Sequence, residues 1–104
     1  MNQTELDPQA LQEAILKRLA EVIDPETGAD VVRMRLIEDL TVDGQGMVRY
    51  KFRPSSALCP LAAPLAVEIK QAVWTVKGVT SQEMEIVGYV AAQELMEILK
   101  QAGY

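Results

Sequence analysis

The 104-residue chain contains no histidine and a single cysteine, Cys59. Without histidine, one chain cannot assemble a Ser-His or Cys-His nucleophile or a His-ligated metal. With one cysteine no intrachain disulfide can form, and a reducing compartment is the simpler setting. Long apolar runs are missing too, since none approaches the about 18 residues that cross a bilayer. The opening stretch MNQTELDPQALQEAILKRL has no basic segment followed by an apolar one, so no signal peptide is expected. Basic residues are outnumbered, ten against fifteen acidic, for a net charge of −5. That balance suits neither general nucleic-acid binding nor an anionic membrane surface. The expectation is a cytoplasmic protein with no nucleic-acid partner and no membrane partner.

What is present is an ordinary globular composition, 49% apolar and 24% charged, enough for one domain over residues 1–104 and too little for two. Asp7 and Pro8 open a first helix, and Leu11, Ile15, Leu19 and Val22 carry its apolar stripe over about 8–22. Asp24-Pro25-Glu26-Thr27-Gly28 breaks that helix with turn chemistry. Residues 31–42 are rich in aliphatic and β-branched types, with the strand proper expected at 36–42. Val32, Met34, Leu36, Leu40 and Val42 share one parity there, and Glu38 is the exception. After the tight-turn composition at 43–46, residues 47–53 alternate: Val48, Tyr50 and Phe52 on one face, Arg49, Lys51 and Arg53 on the other. These two runs predict a hairpin with one buried face.

A helix is expected over about 60–76, with Pro64 tolerable only in its first turn. A third strand follows over 79–87, then a last helix over 90–102. The order α-β-β-α-β-α predicts a two-layer α+β sandwich. Its three-stranded mixed sheet would make the strands flanking the middle helix parallel.

Three features could carry chemistry. Cys59 stands directly before Pro60 at the expected start of the middle helix. There the free backbone N–H groups and the helix dipole stabilise a thiolate, the form that attacks electrophiles and binds soft metals. A buried cysteine beside Leu58 and Leu61, acting as a small hydrophobe, is the plainer alternative. Asp24, Glu26 and Asp30 crowd one turn. They are either hard oxygen ligands or a surface for a cationic partner, or simply capping residues of that turn. Arg33, Arg35, Arg49, Lys51 and Arg53 gather in the first two strands as a candidate docking stripe. The alternative is a solvated outer sheet face, and no aromatic side chain interleaves the stripe for base stacking.

EVIDPETGADVV at 21–32, LIEDLTVD at 36–43 and ALCPLA at 57–62 resemble the small iron–sulfur cluster assembly domain. That family takes in SufT-like accessory proteins, PaaD-like proteins and a eukaryotic cytosolic iron–sulfur targeting factor. The resemblance covers about residues 8–88. It implies an α+β fold and an accessory role in cluster assembly or delivery rather than a catalysed reaction. It assigns the characteristic acidic turn to Asp24, Pro25 and Glu26, with Asp30 after it. The reactive cysteine falls on Cys59, followed by Pro60, and Ser55 or Ser56 takes the hydroxyl position before it. The chain departs from the family where Arg35 replaces a usual glycine, where Leu58 replaces another, and where the helix at 90–102 replaces the usual tail. It lacks the extra cysteine cluster of the PaaD subgroup.

An iron–sulfur cluster takes about four protein ligands, mostly thiolates. One thiolate and no histidine cannot hold a cluster in a monomer. The resemblance therefore implies a transient cluster bridged between chains in a homodimer, or contact with a cluster held by an assembly scaffold or carrier protein. Apo-client proteins are the expected recipients. Two other readings compete: an interaction module in which Cys59 is structural, and an enzyme with a cysteine nucleophile. The second is disfavoured by the missing histidine.

Overall fold

The computed structural model describes residues 8–25, 27–55 and 61–101. Proline at the first helical position sacrifices no hydrogen bond, and helix α1 runs Pro8–Leu19 with Leu11, Ile15 and Leu19 buried. The helix stops short of the expected residue 22. Its exit tightens as the N–H groups of Glu21 and Val22 donate to the carbonyls of Arg18 and Leu19, three residues back. Asp7 lies outside the described residues.

The segment 31–35 is not a lead-in to the first strand, despite its β-branched residues. It winds into a single helical turn. The Asp30 carboxylate accepts from the Arg33 N–H at 2.7 Å, which caps the turn's start. At its end Leu36 N–H donates to Val31 O and Arg35 N–H to Val32 O. Arg35 there has φ 59°, the left-handed residue that closes a helix in a Schellman motif.

Strand β1 then spans Ile37–Val42 and pairs antiparallel with β2, Met47–Phe52. The register slips between Glu38 and Thr41, so that Asp39 and Leu40 together face Tyr50, with Asp39 at φ 54°. This β-bulge explains the parity exception at Glu38. Ile37 pairs with Phe52 and Val42 with Val48, so the inward face switches parity at the bulge. Gln12 Nε2 donates to the Leu40 carbonyl at 3.0 Å, anchoring α1 on this irregular stretch. In the hairpin turn, the Asp43 carboxylate accepts from the N–H groups of Gln45 and Met47 at 2.8 and 3.0 Å.

Helix α2 spans Ala62–Trp74. Pro64 is its third residue, within the first turn where N–H groups need no helical partner. Strand β3, Ser81–Ile86, pairs parallel with β2, giving the sheet order β1-β2-β3. Helix α3, Ala92–Gln101, packs against β3 with Leu95 and Leu99 buried. The observed order is the expected α-β-β-α-β-α. The core joins the inner sheet residues Val48, Tyr50 and Phe52 to Ile15 and Leu19 of α1 and to Ile69 and Val73 of α2. At the far end of α1 and α2, Arg18 Nε donates to Thr75 Oγ1 at 3.1 Å, and that hydroxyl donates to Ala72 O at 2.6 Å.

Candidate functional site

A carboxylate among aliphatic side chains is costly unless something repays its lost hydration. Asp24 is therefore the most informative acidic residue of the turn, because its exposure is 0%. Backbone bonds fix its position. Asp24 N–H donates to Ala29 O, and Gly28 N–H donates to Asp24 O, both at 2.8 Å. Ile23 and Asp30 form an antiparallel bridge across the loop, and Val31 N–H donates to Val22 O. Gly28, at φ 76°, supplies the left-handed turn that a side chain would strain. The described part of the loop is thus a short backbone-bonded ribbon whose first carboxylate points into the protein.

The other acidic residues behave differently. Asp30 is half-buried, and its carboxylate is occupied as a backbone cap. Pro25 is exposed. Glu26 lies outside the described residues, as do Ser56, Cys59 and Pro60; Ser55 is described and exposed. Helix α2 opens two residues later than expected. Leu61 occupies its cap position without a side-chain hydrogen bond, and Leu65 N–H donates to Leu61 O at 3.1 Å. Leu61 holds the cap position of α2 as described, and the expected capping residue Cys59 lies outside the described residues. Among the described residues no group of three carboxylate or thiol side chains comes together that could hold a metal ion.

The candidate docking stripe divides. Arg33 and Arg35 sit in the helical turn before β1 and not on a strand. Arg49, Lys51 and Arg53 do share the outer face of β2, but each meets an acid: Arg49 with Glu83 at 3.3 Å, Lys51 with Asp39 at 3.3 Å and Arg53 with Glu38 at 2.8 Å. The cause is the sheet register, which sets Arg49 beside Glu83 and Lys51 beside Glu85 on β3 and Lys51 beside Glu38 on β1. The central strand is basic and its two neighbours are acidic. The face is charge-matched within the sheet, each exposed pair contributing little stability.

Sequence reasoning passed over a polar cluster on the inner side of the sheet. Tyr50 donates its hydroxyl to Gln82 Oε1 at 2.7 Å, and Gln82 Nε2 donates to the Lys70 carbonyl at 2.9 Å. Burial pushes the Tyr50 hydroxyl well above its ordinary pKa and holds the Lys70 ammonium below its own. The signal was present. Lys70 lies four residues after Ala66 and three before Val73, on the apolar stripe of α2.

Comparison with known proteins gives this frame a family. Residues 12–86 match the family described as iron–sulfur cluster assembly protein. The chain is 35% identical over 79 residues to the Fe-S protein maturation auxiliary factor YitW of Bacillus subtilis, covering 76% of this chain and 78% of that protein. It is 34% identical over 90 residues to an uncharacterized protein of Methanocaldococcus jannaschii, covering 86% and 95%. Among solved structures, a domain of unknown function from Bacillus anthracis, DUF59, superposes with a TM-score of 0.73 at 26% identity, over 91% of this chain and 92% of that one. A conserved hypothetical protein from Thermotoga maritima superposes with a TM-score of 0.71 at 27% identity, over 99% and 100%. The matched span takes in the whole closed ribbon from Asp24 to Asp30, both paired strands of the hairpin, Cys59 and the parallel strand β3. The chain belongs to the iron–sulfur cluster assembly protein family.

Proposed function

We propose that the protein is an accessory factor in iron–sulfur cluster maturation, working through Cys59 as an adaptor or transient carrier of cluster or iron and not as an enzyme. The observation that carries this is the family match over residues 12–86, which includes the only thiol in the chain. YitW, and a Staphylococcus aureus relative named SufT at 29% identity, both bear the name Fe-S protein maturation auxiliary factor. A protein of Deinococcus radiodurans named iron-sulfur cluster carrier protein is 28% identical over 82 residues, which is 23% of its length.

Ligand chemistry narrows the mode of action. A cluster needs about four ligands, mostly thiolates. Cys59 alone supplies one, and carboxylate oxygens are hard donors better suited to iron entering or leaving than to a resident cluster. Two chains that each present Cys59, completed by small thiols or carboxylates, can bridge a cluster transiently. A single chain can instead add one thiolate to a cluster that an assembly scaffold or carrier protein already holds, and release it toward an apo-client protein. The ribbon around Asp24 is itself held by backbone bonds across the loop. No described helix is long and apolar enough to cross a membrane, which fits work alongside cytoplasmic assembly proteins.

Anaerobic reconstitution with iron and sulfide, followed by gel filtration and iron analysis, separates the modes. Iron and chromophore co-eluting with a wild-type dimer, and absent from Cys59→Ser, support the bridged carrier. Iron on neither protein supports the adaptor. Equal iron on both overturns a ligand role for Cys59.

A further inference from the structure

A cavity of about 520 Å³ opens beside β2, β3 and α3, away from the Asp24 ribbon, and it contains a buried lysine. Lys70 lines it and is only 6% exposed. Its neighbours in the wall include Tyr50, Gln82, Met84, Met96 and Leu99. Polar groups of the first two are engaged: the Tyr50 hydroxyl donates to Gln82, and Gln82 donates to the backbone of α2. Two of the cations at the rim are also spent, Arg49 on Glu83 and Lys51 on Asp39. The Lys70 ammonium makes no hydrogen bond and no ion pair with any described residue. The residue is buried, yet its ammonium is not sealed off from the cavity, and it stands next to the flexible thioethers of Met84 and Met96. Lysine is almost never this buried unless paired, and methionine surfaces adapt to apolar ligands of varied shape. Lys100 and Glu85 complete the charged rim. After the two internal pairs are set aside, Lys70 and Lys100 face one carboxylate, leaving a local positive excess on a chain whose net charge is −5.

We propose that this cavity binds a small amphipathic carboxylate, with the Lys70 ammonium as its counter-ion and Met84, Met96 and Leu99 against its apolar tail. The volume lies within the range of small-molecule sites, and Met84, Met96 and Leu99 form the apolar part of a lining that is otherwise largely charged. A carboxylate reaching Lys70 supplies the ion pair that no described side chain gives this ammonium, and a charge-assisted bond is stronger than a neutral one. An alcohol with the same tail lacks the charge, and an ammonium with the same tail is repelled by Lys70 and Lys100.

Octanoate is the probe, with octanol and octylammonium as controls, titrated into wild-type protein and followed by methyl and amide NMR shifts. Saturable octanoate binding is expected, with the largest shifts at the methyls of Met84, Met96 and Leu99. Octanol should bind at least tenfold more weakly, and octylammonium more weakly still. Lys70→Met should lose at least tenfold in octanoate affinity while retaining octanol affinity. Met96→Trp fills the tail side of the cavity without adding charge and should weaken octanoate and octanol alike. That second variant keeps the test decisive if Lys70→Met misfolds. Equal binding of octanoate and octanol would reduce the cavity to an apolar groove and overturn the proposal. Shifts spread evenly over the surface, or binding of a glutamate-rich peptide with no saturable octanoate binding, would overturn it as well.

Discussion

Arg35 holds a left-handed backbone at φ 59°, while Arg33, two residues earlier in the same helical turn, does not. Both side chains are exposed, and neither makes an ion pair among the described residues. The same substitution at the two positions should therefore act in opposite directions. An L-residue in the left-handed region costs roughly 1–2 kcal/mol. Glycine removes that cost but carries about 0.5–1 kcal/mol of extra unfolded-chain entropy. Arg35→Gly should stabilise the domain by about 0.5–1 kcal/mol, the difference of the two effects. Arg33→Gly relieves nothing and should destabilise by about 0.5–1 kcal/mol. Urea denaturation at fixed pH reads both as shifts in midpoint with unchanged slope. If both variants move the midpoint the same way, the Schellman reading of residues 31–36 is wrong.

Three further outcomes follow from other parts of the fold. Gly46 sits at φ 85°, and a Cβ there would collide with the carbonyl oxygen of Gly78, so Gly46→Ala should cost about 2–4 kcal/mol in chemical denaturation. The Asp43 carboxyl is held below its ordinary value, chiefly by hydrogen bonds from the backbone of Met47 and Gln45. A depressed carboxyl pKa contributes stability above its unfolded value and loses it as pH falls through the folded one. Asp43→Asn should accordingly flatten the acid side of the stability–pH curve, and unchanged acid sensitivity would count against the hairpin-turn geometry. Lys70 is depressed by desolvation from the usual 10.5, so the unfolded chain binds that proton more tightly. Stability should rise with pH from the folded pKa toward 10.5, whereas Lys70→Met should be stabler at neutral pH and lack that alkaline rise.

The element order was legible because period and punctuation agreed. Helical spacing at Leu11, Ile15 and Leu19, strict alternation from Val48 to Phe52, and glycine-rich turns at 43–46 all gave the same answer as the fold. The stretch 31–35 misled because aliphatic content was weighed above the capping chemistry of Asp30. One side-chain hydrogen bond to the Arg33 N–H outweighs β propensity there. The bulge at Asp39 was visible only as a broken parity at Glu38, since a register slip is a property of two strands and not of one. The basic stripe was recognised on β2, but its neutralisation depends on which acids β1 and β3 place beside it, which pairing alone decides. At the site, sequence spacing located the ribbon but not the burial of its first acid. The complete burial of Asp24 comes from the Ile23–Asp30 bridge folding the loop back on the core.

The central claim is that Cys59 takes part in handling iron–sulfur clusters. Its most direct test is the rate of cluster transfer from a loaded assembly scaffold to an apo-client protein. The rate would be followed anaerobically with wild type, with Cys59→Ser and with no added protein, after circular dichroism has shown both proteins folded. Acceleration by wild type and none by Cys59→Ser is the predicted result. Equal acceleration by the two proteins would contradict it.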